Sequence, residues 1–249
     1  MPSKDSILKM QKLGQSEDTA HNFVDLVIYG RSGAGKTFAA ATAPGPMYVV
    51  STDPTGHKSI PYSVDGVYAK SIDDIRDTII GFNEGGHGFR SLLIDGVSFI
   101  YDMYVREIGR YFYESMGAKD PDLMPIAGRL KIINQYKNMI TALINLTQVP
   151  NVKDRVHVIF TTLDERIKED DTAPFNIRPY FGSQKINEVF PAYFSAIGYI
   201  TPIGESDDEG NPDKSRGILF TEQGGILAKD RLGIFPDKAK NINLSDYIK

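Results

Sequence analysis

The chain carries the octapeptide Gly30-Arg31-Ser32-Gly33-Ala34-Gly35-Lys36-Thr37, which fits G-x-x-x-x-G-K-[ST] at every fixed position. Each residue type has a physical reason. Glycines let the backbone curl until successive N–H groups converge on one anion. A helix starting at Lys36 turns its positive N-terminal end toward the same anion. Lys36 reaches the outer phosphates as a mobile point charge, and the Thr37 hydroxyl offers an oxygen ligand to magnesium. The flanks agree with this reading. Residues 23–29 are apolar and β-rich, and the residues after Lys36 read as a helix that must stop before Pro44. The pattern implies a nucleoside triphosphate site, with ATP and Mg2+ as its expected ligands.

Two carboxylates follow strand-like stretches. Residues 91–95, Ser-Leu-Leu-Ile-Asp, read as a short buried strand ending in Asp95. Open α/β sheets bind ligands at the C-terminal edge of their strands, where an aspartate can hold a magnesium-bound water. The plainer alternative is an aspartate that opens the turn Asp95-Gly96. Asp53 follows the strand at residues 47–51 and is a candidate base for polarising an attacking water. Its neighbour Pro54 offers the alternative of simple turn chemistry.

The rest of the chain alternates strands and helices. Ser71 reads as an N-cap with Asp74 three residues on, ahead of a helix that turns Ile72, Ile75, Ile79 and Ile80 inward. Residues 97–116 have helical spacing through Val97, Ile100, Tyr104, Val105, Ile108 and Tyr111. A loop at 117–125 leads to a helix over 128–147, with Leu130, Ile133, Ile140, Leu143 and Ile144 as its apolar face. Residues 156–162 read as a core strand, 164–184 as a long charged loop, 186–193 as a short helix and 196–201 as a strand. Residues 205–215 read as a mobile acidic loop. Residues 217–221 and 225–228 read as short strands joined in a hairpin through Glu222-Gln223-Gly224. The expected fold is α/β: a three-layer core with a mostly parallel sheet and a C-terminal antiparallel hairpin. Residues 1–20 read as a tail or docking arm, with Ile7, Leu8, Met10 and Leu13 loosely spaced as on a helix. Residues 21–249 read as one domain.

Composition removes several classes. The 249 residues contain no cysteine, which excludes disulfides, thiol catalysis and zinc–thiolate sites, and only 4 histidines, which leaves little for a histidine-built metal site. No apolar run approaches a membrane span. The N-terminal residues are polar and of mixed charge, unlike a secretory signal, so a cytoplasmic protein is expected. A net charge of -4 gives no support to duplex-DNA binding.

The order of these elements resembles that of RecA-like ATPases. Near the end of the core stands Ile226-Leu227-Ala228-Lys229-Asp230-Arg231-Leu232-Gly233. It is similar to the Lys-x-Arg pair of RecA-like hexameric helicases and their relatives. With Ile-Asp-Gly at Asp95, the chain looks most like the compact phage ATPases of single-strand annealing and recombination. The resemblance covers about residues 23–236. It implies a homo-oligomer with ATP at subunit interfaces, in which Lys229 and Arg231 reach the γ-phosphate of the adjacent subunit. It implies a polar γ-phosphate sensor at Thr162. It also implies single-stranded DNA as a partner, with a single-strand-binding or recombination protein as a further one. The matching DNA segment, residues 164–184, holds Arg166, Lys168, Arg178, Phe175, Tyr180 and Phe181, but also five acidic residues from Asp164 to Asp171. Three other readings share the phosphate site: a helicase loader or other DNA-remodelling motor, a small-molecule kinase, and a non-hydrolysing switch.

Overall fold

A computed structural model describes residues 23–116, 126–168, 174–203 and 215–249. The first half runs β1 (Asp25–Tyr29), α1 (Lys36–Ala40), β2 (Met47–Ser51), β3 (Asp65–Tyr68), α2 (Ile72–Glu84), β4 (Ser91–Asp95), α3 (Val97–Met116), α4 (Ile126–Asn145) and β5 (His157–Thr162). Then follow β6 (Asp164–Ile167), β7 (Asn176–Pro179), α5 (Gln184–Val189), β8 (Ala196–Pro202), β9 (Arg216–Leu219), β10 (Lys229–Asp230) and β11 (Lys238–Lys240). The main sheet has the order β11-β9-β8-β1-β5-β4-β2-β3, with β10 also on β8. From β8 to β3 every pairing is parallel; β9, β10 and β11 join antiparallel. β5 lies between the phosphate-loop strand and the Asp95 strand, so its end residues stand between loop and carboxylate.

The central strands are buried on both faces, and their side chains sort by alternation. Val27, Tyr29, Leu92, Ile94, Val158 and Phe160 pack with the helices α2 to α5. Leu26, Ile28, Leu93 and Ile159 face α1 and the C-terminal segment, including Phe235, Ile242, Leu244 and Ile248. Helix α2 starts where its capping box puts it: the Ser71 and Asp74 side chains each accept the other's backbone N–H.

Several expectations need correction. In α2 the buried set is Ile72, Ile75, Thr78 and Phe82, while Ile80 is exposed. A 3.6-residue period carries the stripe from 75 and 78 to 82 and leaves 80 on the outer side. The α4 face is centred on Ile132, Tyr136, Met139 and Leu143, so Leu130 turns outward. Residues 164–184 are no plain loop: β6 and β7 pair as an antiparallel hairpin. The antiparallel C-terminal part exists, but its partners differ from those expected. β9 pairs with β8 and β11, and the turn at residues 223–226 closes a single bridge. β3, an exposed edge strand, had no expectation at all. The proposed tail at 1–20, the loop at 117–125 and nearly all of the acidic loop at 205–215 lie outside the described residues.

His157 shows how tightly the lower edge of the sheet is closed. Its Nδ1 accepts from the Val24 N–H at 3.2 Å, so Nε2 carries the proton and donates to the Lys249 carbonyl, also at 3.2 Å. Burial pushes its pKa down to about 4 from an ordinary 6.5. The unfolded chain therefore binds this proton first as pH falls. The contribution is complete above about pH 6.5 and is lost as pH drops toward 4, on the order of 3 kcal/mol. Thermal melts from pH 4 to 7 should show a steeper acid-side slope in the wild type than in His157→Gln.

Candidate functional site

The sheet edge at the C-terminal ends of β1, β2, β4 and β5 opens into a cleft of about 510 Å³, lined among others by Gly35, Lys36, Thr37, Asp53, Asp95 and Thr161. The loop over residues 30–37 leaves β1 and closes a turn with Ala34 N–H on the Arg31 carbonyl at 3.2 Å. Gly35 has φ +91°, a left-handed conformation that L side chains rarely adopt. A Cβ there would also stand 1.9 Å from Arg216 Nε, so the guanidinium lies directly on the loop. Helix α1 is short, Lys36–Ala40, and its last carbonyls are taken up by turns through Ala43. That agrees with a stop before Pro44.

Lys36 folds back over its own loop. Its Nζ donates to the Gly30 carbonyl at 3.0 Å and the Arg31 carbonyl at 2.8 Å. Burial lowers its pKa, while Asp95, Asp164 and Asp53 oppose that shift. Weak carbonyl partners on a desolvated ammonium leave it ready to exchange them for anionic oxygens.

Asp95 is 2% exposed. Its Oδ1 accepts from the hydroxyls of Thr37 and Thr161, both at 2.6 Å. The Gly96 N–H donates to the Thr161 hydroxyl at 3.0 Å, which orients that hydroxyl's own proton toward Asp95. Asp95 Oδ2 is buried with no hydrogen-bond partner, as is the Ser98 hydroxyl in the same cleft. Burial raises the Asp95 pKa; the Thr161 and Thr37 hydrogen bonds oppose this, and nearby Asp53 adds to it. An orphaned carboxylate oxygen beside a threonine hydroxyl suits magnesium, a hard cation that binds through few carboxylates plus phosphate and water oxygens. Among the described residues no cluster of three or more His, Cys, Asp or Glu could hold a metal without such help. Backbone packs close above: a Cβ at Gly56 would stand 2.2 Å from Asp95 Oδ2.

The other expected residues are placed as follows. Asp53 lines the cleft, and its Oδ1 accepts from the Thr55 N–H at 2.8 Å and the Thr55 hydroxyl at 3.0 Å. That is the turn chemistry its Pro54 neighbour suggested, and Oδ2 makes neither bond. The Thr162 hydroxyl is bonded to the Tyr180 carbonyl, so the threonine facing Asp95 is its neighbour Thr161. Alternation along β5 allows only one of the two to do so. Lys229 and Arg231 are not in the cleft. β10 runs down β8, with Lys229 opposite Ile197, and the Arg231 N–H bonds the Ser195 carbonyl at 3.0 Å. Gly30 is level with Ile200, three residues up the strand from the partner of Lys229 and five from that of Arg231, roughly 10 and 16 Å away. Lys229 has its pKa pushed down to about 8, by burial first, then by Arg231, against the pull of Asp25.

Sequence reasoning missed Thr161, Ser98, Arg216 and the effect of Asp164 on Lys36. Thr161 was one step from the chosen residue, and only the β4–β5 register, with Asp95 opposite Thr161, singles it out. Arg216 belongs to no motif.

Fold and site together define a phosphate-loop nucleotide-binding domain. The family model described as AAA domain matches residues 22–232, and the chain belongs to that family, an ATPase-type class. A search of curated proteins gave no match. Among the described residues no helix is long and apolar enough to cross a membrane.

Proposed function

We propose that this chain is a magnesium-dependent ATPase of RecA-like type whose site is completed by a neighbouring copy. The observation that carries the reading is the Thr37–Asp95–Thr161 cluster, with an unpartnered carboxylate oxygen beside Lys36. The loop N–H groups and Lys36 would hold the β- and γ-phosphates of ATP, and Thr37 and Asp95 the magnesium ion. When bound, magnesium would supply charge neutralisation on the phosphate oxygens. Asp53 would take the proton of the attacking water as the bond between the γ-phosphorus and the bridging oxygen breaks, releasing ADP and phosphate. Lys229 and Arg231 lie down the sheet from their own loop, so a γ-phosphate that they reached would be a neighbour's.

A second part of the reading concerns single-stranded DNA in recombination or annealing of the phage type. The β6–β7 hairpin supports it at one end only. Arg166 pairs with Asp164 at 3.3 Å and Arg178 with Glu165 at 2.7 Å, and Phe181 is a core residue. Near the far end, Lys168 Nζ lies 4.7 Å from the Phe175 ring centroid, and Phe175 is 47% exposed. A cation and an exposed ring together suit a phosphate and a stacked base. ATP turnover measured against protein concentration, with and without single-stranded DNA, tests both parts. Turnover per chain should rise with assembly and again with DNA. Constant turnover in a strict monomer would sink the shared site, and no response to DNA would sink the second part.

A further inference from the structure

The segment that follows β2 lies against the metal side of the cleft. Thr52 fixes its start: the hydroxyl donates to the Gly96 carbonyl at 2.6 Å, and the N–H donates to the Asp95 carbonyl at 2.9 Å. Beyond Thr52 the chain bonds to itself. Asp53 Oδ1 holds the Thr55 N–H and hydroxyl, and the Ser51 hydroxyl donates to the Asp53 carbonyl at 2.9 Å. Gly56–Ser59 make one 3₁₀ turn, with the Lys58 N–H on the Thr55 carbonyl at 3.1 Å and the Ser59 hydroxyl on the Gly56 carbonyl at 2.8 Å. Among the described residues, every hydrogen bond of residues 54–59 stays within residues 51–60. Such a segment can lift as a unit and leave the bonds of the sheet unbroken.

Gly56 brings this segment down onto Asp95. A Cβ built on Gly56 would stand 2.2 Å from Asp95 Oδ2 and 3.2 Å from Asp95 Cγ, so a Cα hydrogen of Gly56 points at that oxygen. Oδ2 is buried and has no hydrogen-bond partner. A C–H contact is a poor substitute for an N–H, an O–H or a cation. Gly56 is not in the left-handed region, so its backbone conformation does not call for glycine; the missing Cβ does. Magnesium approaches its oxygens to about 2.1 Å and keeps several waters. The buried Oδ2 under Gly56 leaves no room for an ion with its waters. We propose that residues 53–59 are a cap that closes over Asp95 when no nucleotide is bound, and that this cap must lift before a magnesium–nucleotide complex can seat. The proposal rests on the triphosphate reading above and adds a gate on its metal side. Affinity is then reduced by the fraction of chains that are open, and the lifting step limits the rate of entry.

The test is stopped-flow binding of mant-ADP to the full chain, with magnesium or with EDTA in its place. With magnesium, the observed rate for the wild type should level off as mant-ADP is raised, because opening becomes limiting. With EDTA it should keep rising, since the phosphate loop alone does not need Oδ2. Gly56→Ala cannot close over Asp95, so its rate with magnesium should keep rising, and its affinity for the magnesium complex should be tighter by about three- to tenfold. A wild-type rate that rises without limit in magnesium, or levels off equally in EDTA, overturns the cap and leaves the triphosphate reading standing. So does a Gly56→Ala chain that keeps the plateau. Wild-type protein that binds mant-ADP under neither condition overturns both. The comparison of magnesium with EDTA uses the wild type alone, so it decides even if Gly56→Ala fails to fold. The chain has no cysteine, so a spin label on Lys58→Cys reports from the cap alone. Its spectrum should change with ADP and magnesium and stay unchanged with ADP and EDTA; the same change under both conditions counts against the gate.

Discussion

Asp95→Asn is expected to lower ATP turnover by about 10²–10³-fold while leaving the melting temperature unchanged or raised. The two effects have one origin. Asp95 is 2% exposed, and burial raises its pKa, so the fold is less stable when this group is ionised. For an acid shifted upward, stability falls as pH rises through the folded pKa. Asparagine removes that cost at neutral pH and keeps an oxygen in place for the Thr37 and Thr161 hydroxyls. What it loses is the charge opposite the metal. Magnesium with a non-hydrolysable ATP analogue should raise the wild-type melting temperature and raise that of Asp95→Asn much less, since ligand stabilisation follows affinity. Steady-state phosphate release and melts with and without magnesium check both halves. Turnover within about threefold of wild type would remove Asp95 from the metal.

The elements that sequence reasoning placed well are those whose cues are local. β4 as Ser91–Asp95 and α3 as Val97–Met116 fall on the expected residues, because apolar run, turn and helical period follow each other directly. The capping box at Ser71 and Asp74 is another short-range cue. What was hidden depends on residues far apart in the chain. β3 is a short exposed strand with Gly66 at its centre, which reads as a loop. Yet a Cβ at Gly66 would stand 2.2 Å from the Val49 carbonyl oxygen, so glycine there permits its close approach to β2. The pairing of β9 with β8 rather than with residues 225–228 brings together strands on either side of residues 203–215, a pairing no turn residue announces. The site divides the same way. The phosphate loop and Asp95 are legible because each is a motif on one strand end. Thr161 and Arg216 are not, because their roles arise from strand register and from a side chain that reaches Gly35 from a distant part of the sequence.

The proposed shared site makes a sharper demand, and mixing two inactive variants should meet it. Lys36→Ala removes the phosphate-loop cation from a chain's own half-site but leaves Lys229 and Arg231 intact. Arg231→Ala does the reverse. Each alone should fall by about 10³-fold or more if the arginine acts as a finger across the interface. In an equal mixture with random neighbours, an interface is intact only where an Arg231→Ala chain meets the Lys229–Arg231 face of a Lys36→Ala chain. This is roughly one interface in four, so the mixture should regain about a quarter of wild-type turnover. The geometry motivates the experiment, since Arg231 bonds the backbone at Ser195 while the loop starts level with Ile200 on the opposite edge. Five residues of strand, roughly 16 Å, exceed the length of one arginine side chain. A rotated Arg231 serving its own site, or an arginine with only a structural role, would give the mixture no more turnover than the average of its two components. Size-exclusion chromatography of the mixture, run with nucleotide present, shows whether the two variants still assemble. Recovered turnover in a mixed assembly, absent from either parent, would show that each ATP is hydrolysed between two copies.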